Sequence, residues 1–182
     1  MVNVSIIVTC EEKQQSQLRN LLPELLSMQY EGEYEVIVVD EKHDKDFEEW
    51  LADVEIKHPH LSHTFCPASA IGIDVHRLAL MLGAKAANNE WLVLLPVDAR
   101  SQAGDWLPRL TSSAGEGHDV VIGCTGSRNR WNWAWRLFRH FLPPPFPWGK
   151  EGKGRSSLIL CRRVTLLKAE PVKLSNCGIV KM

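Results

Sequence analysis

Two hydrophobic rhythms alternate along this chain. In one, nearly every residue of a short run is apolar: Val4-Ser5-Ile6-Ile7-Val8-Thr9, Tyr34-Glu35-Val36-Ile37-Val38-Val39-Asp40 and Glu90-Trp91-Leu92-Val93-Leu94-Leu95-Pro96-Val97-Asp98. Such runs suit parallel strands covered on both faces. In the other, apolar residues recur at helical spacing. Leu18, Leu21, Leu22, Leu25 and Leu26 form a stripe over 14–28, with Pro23 inside it to kink the helix or mark a late start. Phe47, Trp50 and Leu51 give the inner face of a short helix through Ala52, capped by Asp44 or Asp46. Leu78, Leu82 and Ala86 mark a third helix capped by Asp74, and Asp105-Trp106-Leu107-Pro108 opens a fourth. Weaker strands are expected at 61–65, 120–123 and 157–161, and a short final helix at 163–168. The tail 171–182 has little pattern. Strands alternating with helices predict an α/β fold: three layers of Rossmann type around a mainly parallel sheet.

The length, 182 residues, suits one domain with a sizeable core. The formal net charge of -1 argues against a general nucleic-acid binder. The charge is uneven, however. Residues 31–55 are rich in Glu and Asp. Beyond Asp119, up to Lys150, there is no acid, and Arg128, Arg130, Arg136 and Arg139 are interleaved with Trp131, Trp133, Trp135, Phe138 and Phe141. Segment 128–142 therefore reads as a surface for an anionic membrane or a partner chain, or as a core-packing helix. The five cysteines make no CxxC pair, and no signal peptide or run of about 20 apolar residues is visible. The expected location is cytoplasmic, with a peripheral contact at the inner membrane face.

The chemistry is suggested by acids at strand ends. In open α/β sheets ligands sit beyond the carboxyl ends of the strands, where Asp40 and Asp98 fall. Each can hold a ligand or simply start a turn. His58, His60, His63 and Cys66 match no standard zinc spacing. Gly149 to Arg155 is either a phosphate-facing loop or a solvated turn. GxGxxG, GxxxxGK[ST] and GxSxG are all absent.

The first two apolar runs, with Asp40-Glu41, and the block from His76 through Leu95 to Asp105-Trp106-Leu107 resemble family 2 glycosyltransferases over roughly residues 3–168. The resemblance implies a GT-A fold and a nucleotide-diphosphate sugar donor. It implies transfer, of hexosyltransferase type, to a glycan or lipid-linked acceptor. Thr9 and Cys10 would then lie beside the nucleotide base, and Asp40 would accept a hydrogen bond from it, next to Glu41. His76 and Lys85 would be basic residues near the diphosphate. Arg155, in Gly154-Arg155, would serve the diphosphate or acceptor side, and Arg162-Arg163 would close the following strand. Asp98 would hold Mg2+ or Mn2+ as the last acid of an Asp-x-Asp motif. The pattern departs from the family at two places. The first acid of that motif is Pro96, and no catalytic base can be assigned around 170–177. The nucleotide-sugar half would be about 1–125, and the acceptor-side segment, about 126–182, would be incomplete. Three readings stand: a transferase, a truncated non-catalytic relative that binds a nucleotide or partner, and a nucleotidyltransferase of related architecture.

Overall fold

Strand β1 (Val4–Cys10) is buried along its whole length and hydrogen-bonded on both sides. In this computed structural model, which describes residues 1–67, 74–98, 105–114, 117–124, 158–168 and 177–181, the chain continues through a 3-10 turn at Glu12–Gln14 into α1 (Gln15–Leu26) and β2 (Tyr34–Asp40). It then forms α2 (Lys45–Lys57), β3 (Leu61–Phe65), α3 (Val75–Ala86), β4 (Trp91–Leu94) and α4 (Trp106–Thr111). Last come β5 (Val120–Cys124), β6 (Leu158–Arg162), α5 (Arg163–Lys168) and β7 (Cys177–Lys181). The sheet order is β3-β2-β1-β4-β6-β5-β7. Strands β1 to β4 are parallel to their neighbours in that group, β6 runs antiparallel to β4 and β5, and β7 is parallel to β5.

Alternation along β1 divides the core into two layers. Val4, Ile6, Val8 and Cys10 pack with Leu18, Leu22 and Leu25 of α1, Phe47 and Leu51 of α2, and Trp106 and Leu107 of α4. On the other face Ile7 joins Ile37, Val39 and Ala79 of α3, with Leu166 and Leu167 of α5 partly buried against them. The expected three layers and mainly parallel sheet are present.

Several local expectations are corrected by packing. Pro23 lies inside α1, but the helix ends only three residues later, so the lost backbone bond falls in its last turns. The hydroxyl of Tyr34 donates to the carbonyls of Leu25 and Met28, each at 3.1 Å, and helps finish that helix. Helix α2 runs past Ala52 to Lys57, and of its two possible caps Asp44 accepts from the N–H groups of Asp46 and Phe47. The fully buried face of α3 is Ala79, Gly83 and Ala84; of the expected residues, Leu78 and Leu82 pack partly buried beside it and Ala86 is exposed. Small residues face the sheet here because the helix lies very close: a Cβ at Gly83 would stand 2.6 Å from Ile7 Cγ2 and 3.3 Å from Val39 Cγ2. Strand β7 arises from the tail that shows little pattern.

At the amino end of the parallel strands, Glu35 ties three elements. It accepts from Ser5 Oγ at 2.5 Å and from the backbone and side-chain N–H groups of Asn88 at 2.7 and 2.8 Å. Burial raises its pKa, but the donors of Ser5, Asn88 and Asn89 outweigh that and leave it below the ordinary carboxylate value. Its contribution to stability is therefore present above the unfolded pKa and lost as pH falls through the folded one.

Two predictions follow from this packing. Gly83→Val inserts volume against a stiff β-branched side chain and lowers stability by about 1–3 kcal/mol in chemical denaturation, and Ile7→Ala, which removes the clashing Cγ2, costs less in that background than in the parent. Glu35→Gln costs about 1–2 kcal/mol at neutral pH, and the gap to the parent narrows as both are titrated below the carboxylate range.

Candidate functional site

The register of β1 and β2 builds the candidate site. Cys10 pairs with Asp40, so both strands finish level, and the Glu41 N–H donates to the Cys10 carbonyl at 3.0 Å. Strand β3 ends beside them, where the Cys66 N–H donates to the Asp40 carbonyl at 2.8 Å. Helix α3 points its amino end at the same place, because a parallel crossover must return the chain to the start of the next strand.

Asp40 is buried, and both its carboxylate oxygens are engaged. Oδ1 accepts the Lys42 N–H at 3.0 Å and Oδ2 the Asp44 N–H at 2.7 Å. The loop 41–44 is thus folded around this one carboxylate, and Asp44, held at its far end, caps α2. Within the loop His43 adopts φ 58°, a left-handed backbone uncommon for a residue with a Cβ. Its ring stacks on Phe65 at 3.7 Å between centroids, and Nε2 lies 3.1 Å from Glu48 Oε2. Lys42 pairs with Glu12, joining the loops after β1 and β2.

Across the face toward α3, three polar side chains meet. His76 Nδ1 is 2.8 Å from Glu41 Oε1 and 3.3 Å from Thr9 Oγ1. Glu41 is nearly buried at 11% exposure, whereas His76 is half exposed. The hydrogen bond to Glu41 raises the His76 pKa above its ordinary value; burial opposes this, and the charges of Glu41, Asp74 and Glu11 reinforce it. The Cys10 thiol sits at full burial and is pushed up to about 12, by burial first and then by Asp40, Glu41 and Glu11. Cys66 is raised to about 11 by the same kind of environment. Both thiols are therefore held protonated and weakly nucleophilic at neutral pH, and the Cys10 carbonyl accepts from Glu41.

Thr9, Cys10, Asp40, Glu41 and His76 are therefore brought together, and Lys85 is not. Nine residues beyond His76 on α3, Lys85 lies about 13 Å further along the helix axis. Its carbonyl accepts from Arg163 Nη2 at 3.2 Å, at the opposite end of the sheet. Arg162 is at that far end too, because β6 is antiparallel. It bonds Glu90 Oε1 at 2.6 Å, lies 3.3 Å from Asp119 Oδ1 and stacks 5.2 Å from the Trp91 ring centroid. The basic close of β6 faces away from Asp40. Glu11 was not singled out from the sequence, and only its position just after β1 could have signalled it; Cys66, read there with His58, His60 and His63, instead lies beside the end of β2.

Asp98 is exposed and four residues past the end of β4, whose Leu94 pairs with Ile7. It lies at the same end of the sheet as Asp40. Among the described residues no three His, Cys, Asp or Glu side chains converge to hold a metal ion. The described residues therefore form no all-protein cage. A single exposed carboxylate suits the other mode of binding Mg2+ or Mn2+, in which phosphate oxygens and waters complete the shell. His63 is engaged by Glu55 at 2.5 Å, and His60 packs edge-on to Tyr34. Arg155, the segment 128–142 and residues 170–176 lie outside the described residues. No helix among the described residues is long and apolar enough to cross a membrane.

The profile of glycosyl transferase family 2 matches residues 5–173. The chain belongs to this family. No curated protein sequence matches it, but solved structures do. A mannosyltransferase from Pyrobaculum calidifontis, in complex with GDP-Man and Mn2+, is 17% identical with a TM-score of 0.65, over 98% of this chain and 56% of its own. Glucosyl-3-phosphoglycerate synthase from Mycobacterium tuberculosis, with Mn2+, UDP and glucosyl-3-phosphoglycerate, is 14% identical at TM-score 0.60, over 99% and 70%. A CMP:2-keto-3-deoxy-manno-octonic acid synthetase complexed with CTP is 12% identical at TM-score 0.62, over 99% and 90%. At these identities the likeness is one of fold, that of the GT-A glycosyltransferases. The chain spans little more than half the length of the mannosyltransferase.

Asp40→Ala tests the loop architecture. It releases the amides of Lys42 and Asp44, whose hydrogen exchange accelerates by at least about tenfold. Global stability falls by about 1–2 kcal/mol as the two part-buried donors lose their acceptor.

Proposed function

We propose that this family 2 chain is a glycosyltransferase domain that binds a nucleotide-diphosphate sugar and passes the sugar to a glycan or lipid-linked acceptor. The observation that carries the reading is the convergence of Thr9, Asp40, Glu41 and His76 at the carboxyl ends of β1 and β2. That is where an open α/β sheet receives a nucleotide. Asp40 takes the base. Each of its oxygens already accepts one loop N–H, and a carboxylate oxygen has a second lone pair for a donor on the base ring. Thr9 and the Cys10 backbone flank it, and His76 meets the diphosphate as a cation.

Asp98 holds Mg2+ or Mn2+ with the donor's phosphate oxygens. Such an ion, when bound, neutralises the charge that builds on the departing diphosphate. Arg155 comes three residues before β6, whose first residues lie beside the end of β4, and it steadies the diphosphate or acceptor from that side. Segment 128–142 contacts an anionic membrane surface or a partner chain on the cytoplasmic side.

A second reading rests on Pro96. With an imino acid where the family's first metal-site acid stands, the chain binds the nucleotide but transfers nothing. Calorimetric titration of the chain with UDP and GDP, with and without Mn2+, tests the donor site. Binding that strengthens about tenfold or more with Mn2+, and loses that gain in Asp98→Ala, is the expected outcome. Binding indifferent to the metal and to Asp98 favours the non-catalytic reading. Absence of binding overturns both.

A further inference from the structure

The trio Glu41, His76 and Thr9 carries a consequence for how a nucleotide is held. Nδ1 of one imidazole lies within hydrogen-bond distance of both a carboxylate oxygen and a threonine hydroxyl. An ionised Glu41 only accepts, so Nδ1 must carry the proton. Glu41 sits at the end of β2 and is nearly buried, anchored by its own N–H on the Cys10 carbonyl. It is the fixed member, and the half-exposed imidazole is the one it orients. Other charged groups near the ring come from every neighbouring element: Glu11 after β1, Asp40 and Glu41 at the end of β2, and Asp74 at the cap of α3. Arg77 follows His76 on α3. Lys13 is paired with Glu11 and Lys42 with Glu12. Among the described residues an incoming anion therefore meets mostly carboxylates, and a charge on His76 offsets them.

We propose that Glu41 is a positioning residue for nucleotide binding: it holds the His76 ring as a cation toward the phosphates of a nucleoside diphosphate, and affinity for that ligand falls as the ring loses its proton. The inference rests on the donor-site reading above and adds what that reading does not contain, a proton-linked affinity specific to this trio. The elevated His76 pKa agrees with it. The ligand's own ionisation works the other way. A terminal phosphate gains negative charge as pH rises through about 6, which by itself would strengthen binding to a cation. A loss of affinity with rising pH thus reports the protein.

The test is calorimetric titration of the whole chain with UDP and with GDP, without added metal, from about pH 5.5 to about pH 8.5. The parent loses about tenfold in affinity across that range, the size of one charge-assisted hydrogen bond. His76→Arg abolishes the fall with rising pH, leaving only the rise that the ligand's own ionisation brings, and keeps the high affinity. Glu41→Gln keeps the acid-side affinity but moves the fall to lower pH. The imidazole resonance of His76, followed by NMR without ligand, shows the same downward move in Glu41→Gln. A parent affinity that is flat with pH, or unchanged in His76→Asn, overturns the proposal and leaves the donor site standing. A His76 midpoint unmoved by Glu41→Gln overturns the role of Glu41 even if no nucleotide is added. If neither nucleotide binds at any pH, with or without Mn2+, the donor-site reading fails and takes this one with it.

Discussion

The complete burial of β1 is the constraint on which the rest depends. A strand with apolar layers on both faces and hydrogen-bonded neighbours on both sides can tolerate polar chemistry only at its ends. Its amino end is sealed by Glu35 and the Ser5 hydroxyl, its carboxyl end by Asp40 and the backbone of Glu41. These two ends have different tasks. At the first, every donor around Glu35 is satisfied internally, which is structural bookkeeping. At the second, Thr9, Glu41 and His76 leave a half-exposed imidazole at the mouth of the sheet.

The site owes its shape to one buried side chain rather than to regular structure. Asp40 gathers two amides of an otherwise irregular loop, and that loop in turn delivers the cap of α2 and the left-handed His43. An exposed ion pair such as Lys42 with Glu12 adds little energy, so the loop's shape is set by the carboxylate and by the stacking of His43 on Phe65. One side chain therefore serves as both scaffold and prospective ligand contact.

Much of this was legible in the sequence, for identifiable reasons. Continuous apolar runs located β1, β2 and β4, and strand-end acids located the carboxyl face, because burial on two sides leaves a strong one-dimensional signal. The phase of α3 was not legible. Leucine at 78 and 82 looks like the core face, whereas the sheet demanded Ala79, Gly83 and Ala84, a matter of how close a helix can approach Ile7. Lys85 reads as a neighbour of His76 only until the rise of the helix carries it to the other end. Strand β7 sits at the sheet edge, where a strand needs no long apolar run. The contact of His76 with Glu41 joins residues 35 positions apart, and no local pattern foretells it.

The antiparallel β6 has a final consequence for the chain's plasticity. Strand β5 runs in the direction of β4, and β6 runs back between them. The chain therefore departs after Cys124 and returns before Leu158 on one and the same rim, the rim that carries Asp40 and Asp98. The segment between Cys124 and Leu158 therefore begins and ends beside that rim. A change in the length of that segment would thus enter and leave the sheet where Asp40 and Asp98 stand, while the register of β5 on β6 stays as it is.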